Sequence, residues 1–345
     1  MTFINPHIEA LGLAPLAHGG DLVAARRLFP NAPEPFIDLS TGINPYSYPL
    51  PPLPTDCFTR LPDRAAVGAL AATAARAYGA PSEGCVVPAP GTQILLTQVA
   101  ALATRGRAVI LGPTYAEHAH AAQLIGHETI EVSDPNLLRS ANLAVVVNPN
   151  NPDGRILHKP LLLDIAAELH RRGGLLVVDE AFADVASQFS LAETVERPNI
   201  IVLRSFGKFY GLAGLRLGFA LLQPRLALRL QAMLGPWSVS GPAIVIGQAA
   251  LADVDWKTRT IAELAQAVVR LDRLLVAAGL EIVGGTLLYR LTRCADAAVL
   301  FEHLGRAGIL VRRFSENSEW LRWGIPHGDP SWLRLEAALT TAHLA

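Results

Sequence analysis

"RSFGKFYGLAGLRLGF", residues 204–219, sets one lysine among aromatic residues and four glycines. The chain of 345 residues holds only three lysines, Lys159, Lys208 and Lys257, against 26 arginines. Against that arginine bias, Lys208 is a candidate for a role that needs an amine rather than only a charge. A guanidinium stays protonated, whereas a primary amine can lose its proton near neutrality and attack a carbonyl carbon. The glycines at 207, 211, 214 and 218 do not follow GxGxxG spacing, and no GxxxxGK[ST] occurs, so neither nucleotide loop is present.

Upstream of this stretch, short apolar runs alternate with helical patterns from about residue 85. "CVVP" precedes "TQILLTQVAALAT", "AVILG" precedes "AEHAHAAQLIG", and "LAVVVN" precedes "PLLLDIAAELHRRGG"; "LLVVDEA", "NIIVLRS" and "LGFALL" follow. Continuous β-branched runs of this length predict strands buried on both faces, hence an α/β fold whose mostly parallel central sheet is covered by helices. After "LGPW" the pattern changes. Ile261, Leu264, Val268, Leu271 and Leu275 form one stripe of a long helix within 256–279. "EIVGG", "TLLYRLT", "GILVRRF" and "EWLRWGI" then read as strands around one more helix, a small C-terminal α+β domain. "INPYSYPLPPLP" carries five prolines in twelve residues and predicts an extended arm. The expected division is therefore 1–45 as an arm reaching the small domain and the site entrance, 46–235 as the large domain, and 236–345 as the small domain.

In an open α/β sheet, ligands bind outside the carboxyl ends of the strands. The residues there are "APGTQ" (89–93), "GPTYAEH" (112–118), "NPNNPDG" (148–154), "DEAF" (179–182) and "RSFGK" (204–208). Together they offer one assembled polar site. "PGTQ" runs straight into an amphipathic helix, whose free N–H groups suit a phosphate.

Bulk composition removes several function classes. The 29 basic and 30 acidic residues nearly cancel, which leaves no global field to draw nucleic acid or an anionic membrane. Cys57, Cys85 and Cys294 are far apart without a CxxC pair, which predicts neither a metal site nor a disulfide framework. With no basic start or long apolar run at the N-terminus, the expected location is the cytoplasm.

The order and separation of "NPNNPDG", "DEAF" and "SFGKFYGLAGLRLGF" resemble the aminotransferase class I and II family of fold-type I pyridoxal phosphate enzymes, over roughly residues 35–325. The resemblance implies pyridoxal 5'-phosphate as cofactor, with Lys208 as the Schiff-base lysine and Asp179 paired with the pyridine nitrogen, where it makes the ring an electron sink. It further implies Asn151 as donor to the ring hydroxyl oxygen and Tyr115 stacked on the ring. Gly91, Thr92, Gln93, Ser205 and Arg216 lie where the family holds the cofactor phosphate. Two positions depart from the pattern: Phe182 stands where a tyrosine often gives a second hydrogen bond, and Leu61 of "RLPD" stands where related arms carry a tyrosine that reaches the partner's cofactor. The family also implies a homodimer.

The C-terminal "GILVRRF" and "EWLRWGI" supply Arg312 and Arg322 at positions similar to substrate-binding arginines of the histidinol-phosphate aminotransferase branch, with Arg313 directed elsewhere. Two arginines suit a small phosphorylated amino-acid substrate. "AHGGDLVAA" followed by "FIDLSTGINPYSYP" is similar to the start of the threonine-phosphate decarboxylases of cobalamin biosynthesis. That resemblance implies His18 and Gly19 over the substrate, Gly42, Ile43 and Asn44 at the entrance, and decarboxylation of L-threonine O-3-phosphate. The alternatives are transamination of histidinol phosphate, or a non-catalytic binding or regulatory protein on the same fold.

Overall fold

The computed structural model describes residues 18–342. Residues 1–17 of the expected arm, and 343–345, lie outside the described residues.

The apolar runs form one seven-stranded sheet. Its strands are β2 (Val86–Ala89), β3 (Arg107–Leu111), β4 (Glu128–Val132), β5 (Leu143–Val147), β6 (Leu175–Asp179), β7 (Ile200–Ser205) and β8 (Gly218–Leu222), in the order β2-β8-β7-β6-β5-β3-β4; β1 is described below. β3 to β7 run parallel, and β8 is antiparallel to both its neighbours. β2 therefore points the same way as β7. Strands β5 to β8 are buried throughout, because helices cover both faces and leave no solvated side for a polar alternation.

This topology decides where the polar strand ends fall. Ala89 pairs with Gly218 and Gly218 with Ser205, so the end of β2, the start of β8 and the end of β7 share one edge. Val147, Asp179 and Leu203 are in register beside them. Arg204, buried at the end of β7, holds this edge from behind through Glu180 at 3.0 Å and Asp184 at 2.8 Å. Removing one partner of such a buried ion pair costs about 3–5 kcal/mol, since it leaves a charge uncompensated.

The small unit contains β9 (Glu281–Thr286), β10 (Tyr289–Arg293), β12 (Arg312–Arg313) and β13 (Trp320–Gly324) in an antiparallel sheet of order β12-β13-β10-β9. The expected strand "GILVRRF" divides. Its first part, β11 (Ile309–Leu310), pairs in parallel with β1 (Ile37–Asp38) of the arm, and its second part pairs with β13. The arm is thus stitched to the small unit. The long helix spans Val254–Ala277 with the predicted stripe toward the core. The helix Gly241–Ala252 lies on Arg64–Tyr78 of the large unit, where a Cβ on Gly247 would meet Leu217 and Leu70. The chain just after residue 236 therefore packs on the large unit, and the start of the long helix follows it there, with Trp256 against Phe209 and Tyr210. Among the described residues, no helix is long and apolar enough to cross a membrane.

Candidate active site

At the shared edge of β2, β7 and β8 the backbone forms a cup. Gly91 caps the helix Thr92–Ala100 with φ 83°, and a Cβ there would lie 2.7 Å from Nη2 of Arg216. A Cβ on Gly218 would lie 2.7 Å from the backbone nitrogen of Thr92. Both positions therefore need glycine for close approach. Arg216 itself has φ 54°, in the left-handed region that costs a non-glycine residue about 1–2 kcal/mol. Strain of this kind is kept at ligand sites, and here it turns the guanidinium back over Gly91. Ser205 adds a hydroxyl that has no hydrogen-bond partner among the described residues, next to the free N–H groups of the helix start. Hydroxyl, guanidinium and helix N-terminus form an anion cradle.

Beside the cradle stands Lys208, its amine 5.7 Å from the centre of the Phe182 ring. Burial pulls the ammonium down to about 8; Arg322 and Arg216 push the same way, and Asp179 opposes them. An amine with this balance is available as a nucleophile near neutrality. Asp179 ends β6 and is buried. Its Oδ1 accepts from the Ala181 N–H at 3.0 Å, and its Oδ2 accepts from Nε2 of His118 at 2.9 Å. The carboxylate is held in one orientation from two sides.

The three asparagines of "NPNNPDG" divide their work. Asn148 exchanges hydrogen bonds with the Leu157 backbone, and Asn150 bonds Thr114, Pro113 and Asp153. Asn151 is left for the site. Its Oδ1 accepts from Nη1 of Arg322, and since a guanidinium only donates, the amide nitrogen is turned away with no partner among the described residues. The same Arg322 donates to the Ser40 carbonyl at 2.7 Å, while its Nε, also buried, has no hydrogen-bond partner among the described residues. Burial, reinforced by Arg312, brings the Arg322 guanidinium down to about 10, so it remains a cation at neutral pH. Arg312 is its cross-strand partner on β12. Directly opposed residues of an antiparallel pair share a face, which is unfavourable for two like charges unless an anion lies between them. Arg313 points the other way, over Phe301.

Tyr115 hydrogen-bonds through its hydroxyl to Oε1 of Gln93 at 3.0 Å, and its phenol is pushed up to about 12 by burial, Glu117 and Asp179. It stays neutral. The His18 ring lies 5.8 Å from the Tyr115 ring, at the mouth of the same site. Gly42 passes so close to Phe182 and Tyr289 that a Cβ would fall 2.9 Å and 3.0 Å from their rings, and Phe182 meets Tyr289 edge-on. Phe182 thus fills an apolar contact where a hydroxyl would have served the site. Gly19 is packed against the Ser40 carbonyl. Asn44 is buried with its amide committed to the Phe209 carbonyl and the Tyr46 N–H, and Ile43 beside it is half-buried. Asn44 fastens the arm to the helix that carries Lys208. Leu61 is 67% exposed.

The sequence did not single out His118, Glu117 or Tyr289. His118 and Glu117 lie inside a quoted strand-end segment, but polar residues in a helix's first turn read as caps. Tyr289, whose hydroxyl donates to the Asn150 carbonyl, is buried and reads as core.

An anion cradle at a sheet edge, beside a partly neutral lysine and a fixed buried carboxylate, is the arrangement of an enzyme that grips a phosphorylated group and performs amine chemistry on it. The chain belongs to the aminotransferase class I and II family, whose profile matches residues 58–345. It is 42% identical over 327 residues to the threonine-phosphate decarboxylase of Pseudomonas aeruginosa, covering 94% of this chain and 97% of that one. It is also 42% identical over 336 residues to the threonine-phosphate decarboxylase of a Sinorhizobium species, covering 96% and 99%. In fold it is similar to the histidinol-phosphate aminotransferase of Sinorhizobium meliloti, solved in complex with pyridoxal-5'-phosphate, with a TM-score of 0.79, 22% identity, and 98% and 97% of the chains covered.

Proposed function

We propose that the chain is a pyridoxal 5'-phosphate-dependent carboxy-lyase that converts L-threonine O-3-phosphate and a proton to carbon dioxide and 1-amino-2-propanol O-2-phosphate. The cradle of Gly91, Thr92, Ser205 and Arg216 fits the cofactor phosphate, the free amide nitrogen of Asn151 fits a phenolate oxygen, and Asp179 fits a ring nitrogen that must stay protonated. When bound, the cofactor supplies an electron sink for the pair left as a bond at the substrate Cα breaks.

The protein's own groups decide which bond that is. Arg312 and Arg322, opposed across β12 and β13, are the observation that carries the reading: two cations on one face fit a substrate with two anionic groups, here a carboxylate and a phosphate. Holding both ends fixes the Cα–carboxylate bond relative to the ring plane. Lys208 would hold the cofactor through its amine in the absence of substrate, and its amine, once free, would carry the proton that Cα takes up in place of carbon dioxide. Tyr115 stays a neutral phenol and so adds no negative charge to oppose binding of the substrate's anionic groups.

Incubated with phosphothreonine and no keto acid, the protein should release carbon dioxide. Activity confined to histidinol phosphate plus 2-oxoglutarate would instead assign it the transaminase reaction.

The pH dependence carries a sign. Only the neutral amine attacks a carbonyl, so capture of pyridoxal phosphate by the apoprotein should accelerate as pH rises through about 8. Arg322→Leu removes a repelling cation and should move that midpoint up. Asp179→Asn removes the stabilising anion and should move it down. Stopped-flow absorbance across pH 6.5–10, a range chosen to bracket about 8, reads all three.

The reading also assigns the chain to the cytoplasm, to cobalamin biosynthesis and to a homodimer. Leu50, Phe58, Leu61 and Trp237 are large apolar side chains left exposed, which a second copy could cover.

A further inference from the structure

A carboxylate at the entrance to a site for a doubly charged anion is out of place unless its charge is spoken for. Glu117 is such a group, with a side chain only 13% exposed. Both its oxygens are engaged. Oε1 lies 2.7 Å from Nε2 of His18, and Oε2 accepts at 2.8 Å from Nε2 of Gln93. Because Gln93 uses its amide nitrogen on Glu117, its Oε1 is left to receive the Tyr115 hydroxyl. One side chain thus joins three separate segments: the arm at His18, the helix Thr92–Ala100 at Gln93, and, through Gln93, the loop after β3 at Tyr115. The His18 side chain is 45% exposed. Its ring touches Tyr115, and Glu117 is its hydrogen-bond partner among the described residues. Without Glu117 no hydrogen bond from the described residues fixes the imidazole over the Tyr115 ring.

We infer that Glu117 is a positioning and specificity residue: it latches His18 over the site so that the phosphate of a phosphorylated amino acid meets a ring already in place. The inference rests on the proposed function, since it needs a phosphorylated substrate. Pre-ordering the arm removes an entropic cost that each binding event would otherwise carry. Engagement of both Glu117 oxygens by donors turns its charge away from the incoming anion.

A double-mutant cycle on the holoenzyme tests this, with Glu117→Gln, His18→Ala and the double variant. Each is titrated with L-threonine O-3-phosphate and with L-threonine, reading Kd from the cofactor absorbance. A glutamine keeps the size of Glu117 but offers one oxygen, so it cannot accept from both His18 and Gln93. Glu117→Gln should weaken phosphothreonine about five- to tenfold and leave threonine unchanged. The double variant should bind phosphothreonine no more weakly than His18→Ala alone. Single-variant losses that simply multiply, or equal losses for both ligands, would overturn the latch and leave Glu117 a structural residue. A wild-type preference for phosphothreonine that Glu117→Gln retains would also refute the latch while sparing the functional reading. A wild-type protein with no such preference would refute both.

Discussion

Lys208→Arg is expected to leave a folded protein with turnover reduced by at least about 10⁴-fold. The substitution conserves charge and approximate length, so a role as a cation would survive it. The amine is what it removes. Lys208 sits where burial, Arg216 and Arg322 all disfavour a proton, and its ammonium is drawn down to about 8. A guanidinium in the same surroundings stays charged and cannot attack a carbonyl carbon. Rate measurements should be paired with borohydride reduction and peptide mapping. In the wild type the reduced cofactor should be fixed to Lys208, and in the variant no peptide should carry it. Turnover within about tenfold of wild type would show that Lys208 serves only as a charge.

Asp179→Asn is expected to lower kcat by about 10³-fold with a much smaller change in KM. The variant keeps an oxygen for the Ala181 N–H or for His118, but not for both, and it has no charge to hold a proton on a ring nitrogen. The loss therefore falls on the step in which electrons leave the substrate Cα. The downward shift in the pH dependence of cofactor capture separates this from simple misfolding, which lowers apparent kcat at unchanged KM but leaves that midpoint where it was.

The groups proposed to meet the cofactor were legible because they end buried strands. "NPNNPDG", "DEAF" and "RSFGK" follow apolar runs that could only be interior strands, and the sheet topology brings their ends to one edge. What was less legible depends on long-range partners. β1 and β11 are two residues long, too short for any periodicity, and their pairing is what makes the arm part of the small unit. The helix Gly241–Ala252 is apolar on nearly every side, so its sequence does not say which unit it covers. Asn44 lies in a segment expected at the entrance, yet its amide is committed to the Phe209 carbonyl and the Tyr46 N–H, choices that only the folded backbone offers. Glu117 shows the same limit from the other side. Its sequence position suits a helix cap, and its role emerges only when His18, from 99 positions earlier, is laid against it.

Arg322 joins the two halves of the account. It donates to Oδ1 of Asn151, faces Arg312 across the strand pair, and lowers the proton affinity of Lys208. Under the proposed function one buried cation acts on cofactor orientation, substrate charge and amine reactivity together, and its removal should affect all three.

The most direct measurement is a single incubation of the holoenzyme with phosphothreonine labelled with carbon-13 in its carboxyl group, in deuterium oxide and with no keto acid present. The predicted result is that all the label leaves as carbon dioxide, while the phosphorylated amino alcohol formed carries one deuterium at the former Cα. Retention of the label in the phosphorylated product, with the amino group lost only when 2-oxoglutarate is added, would contradict the account.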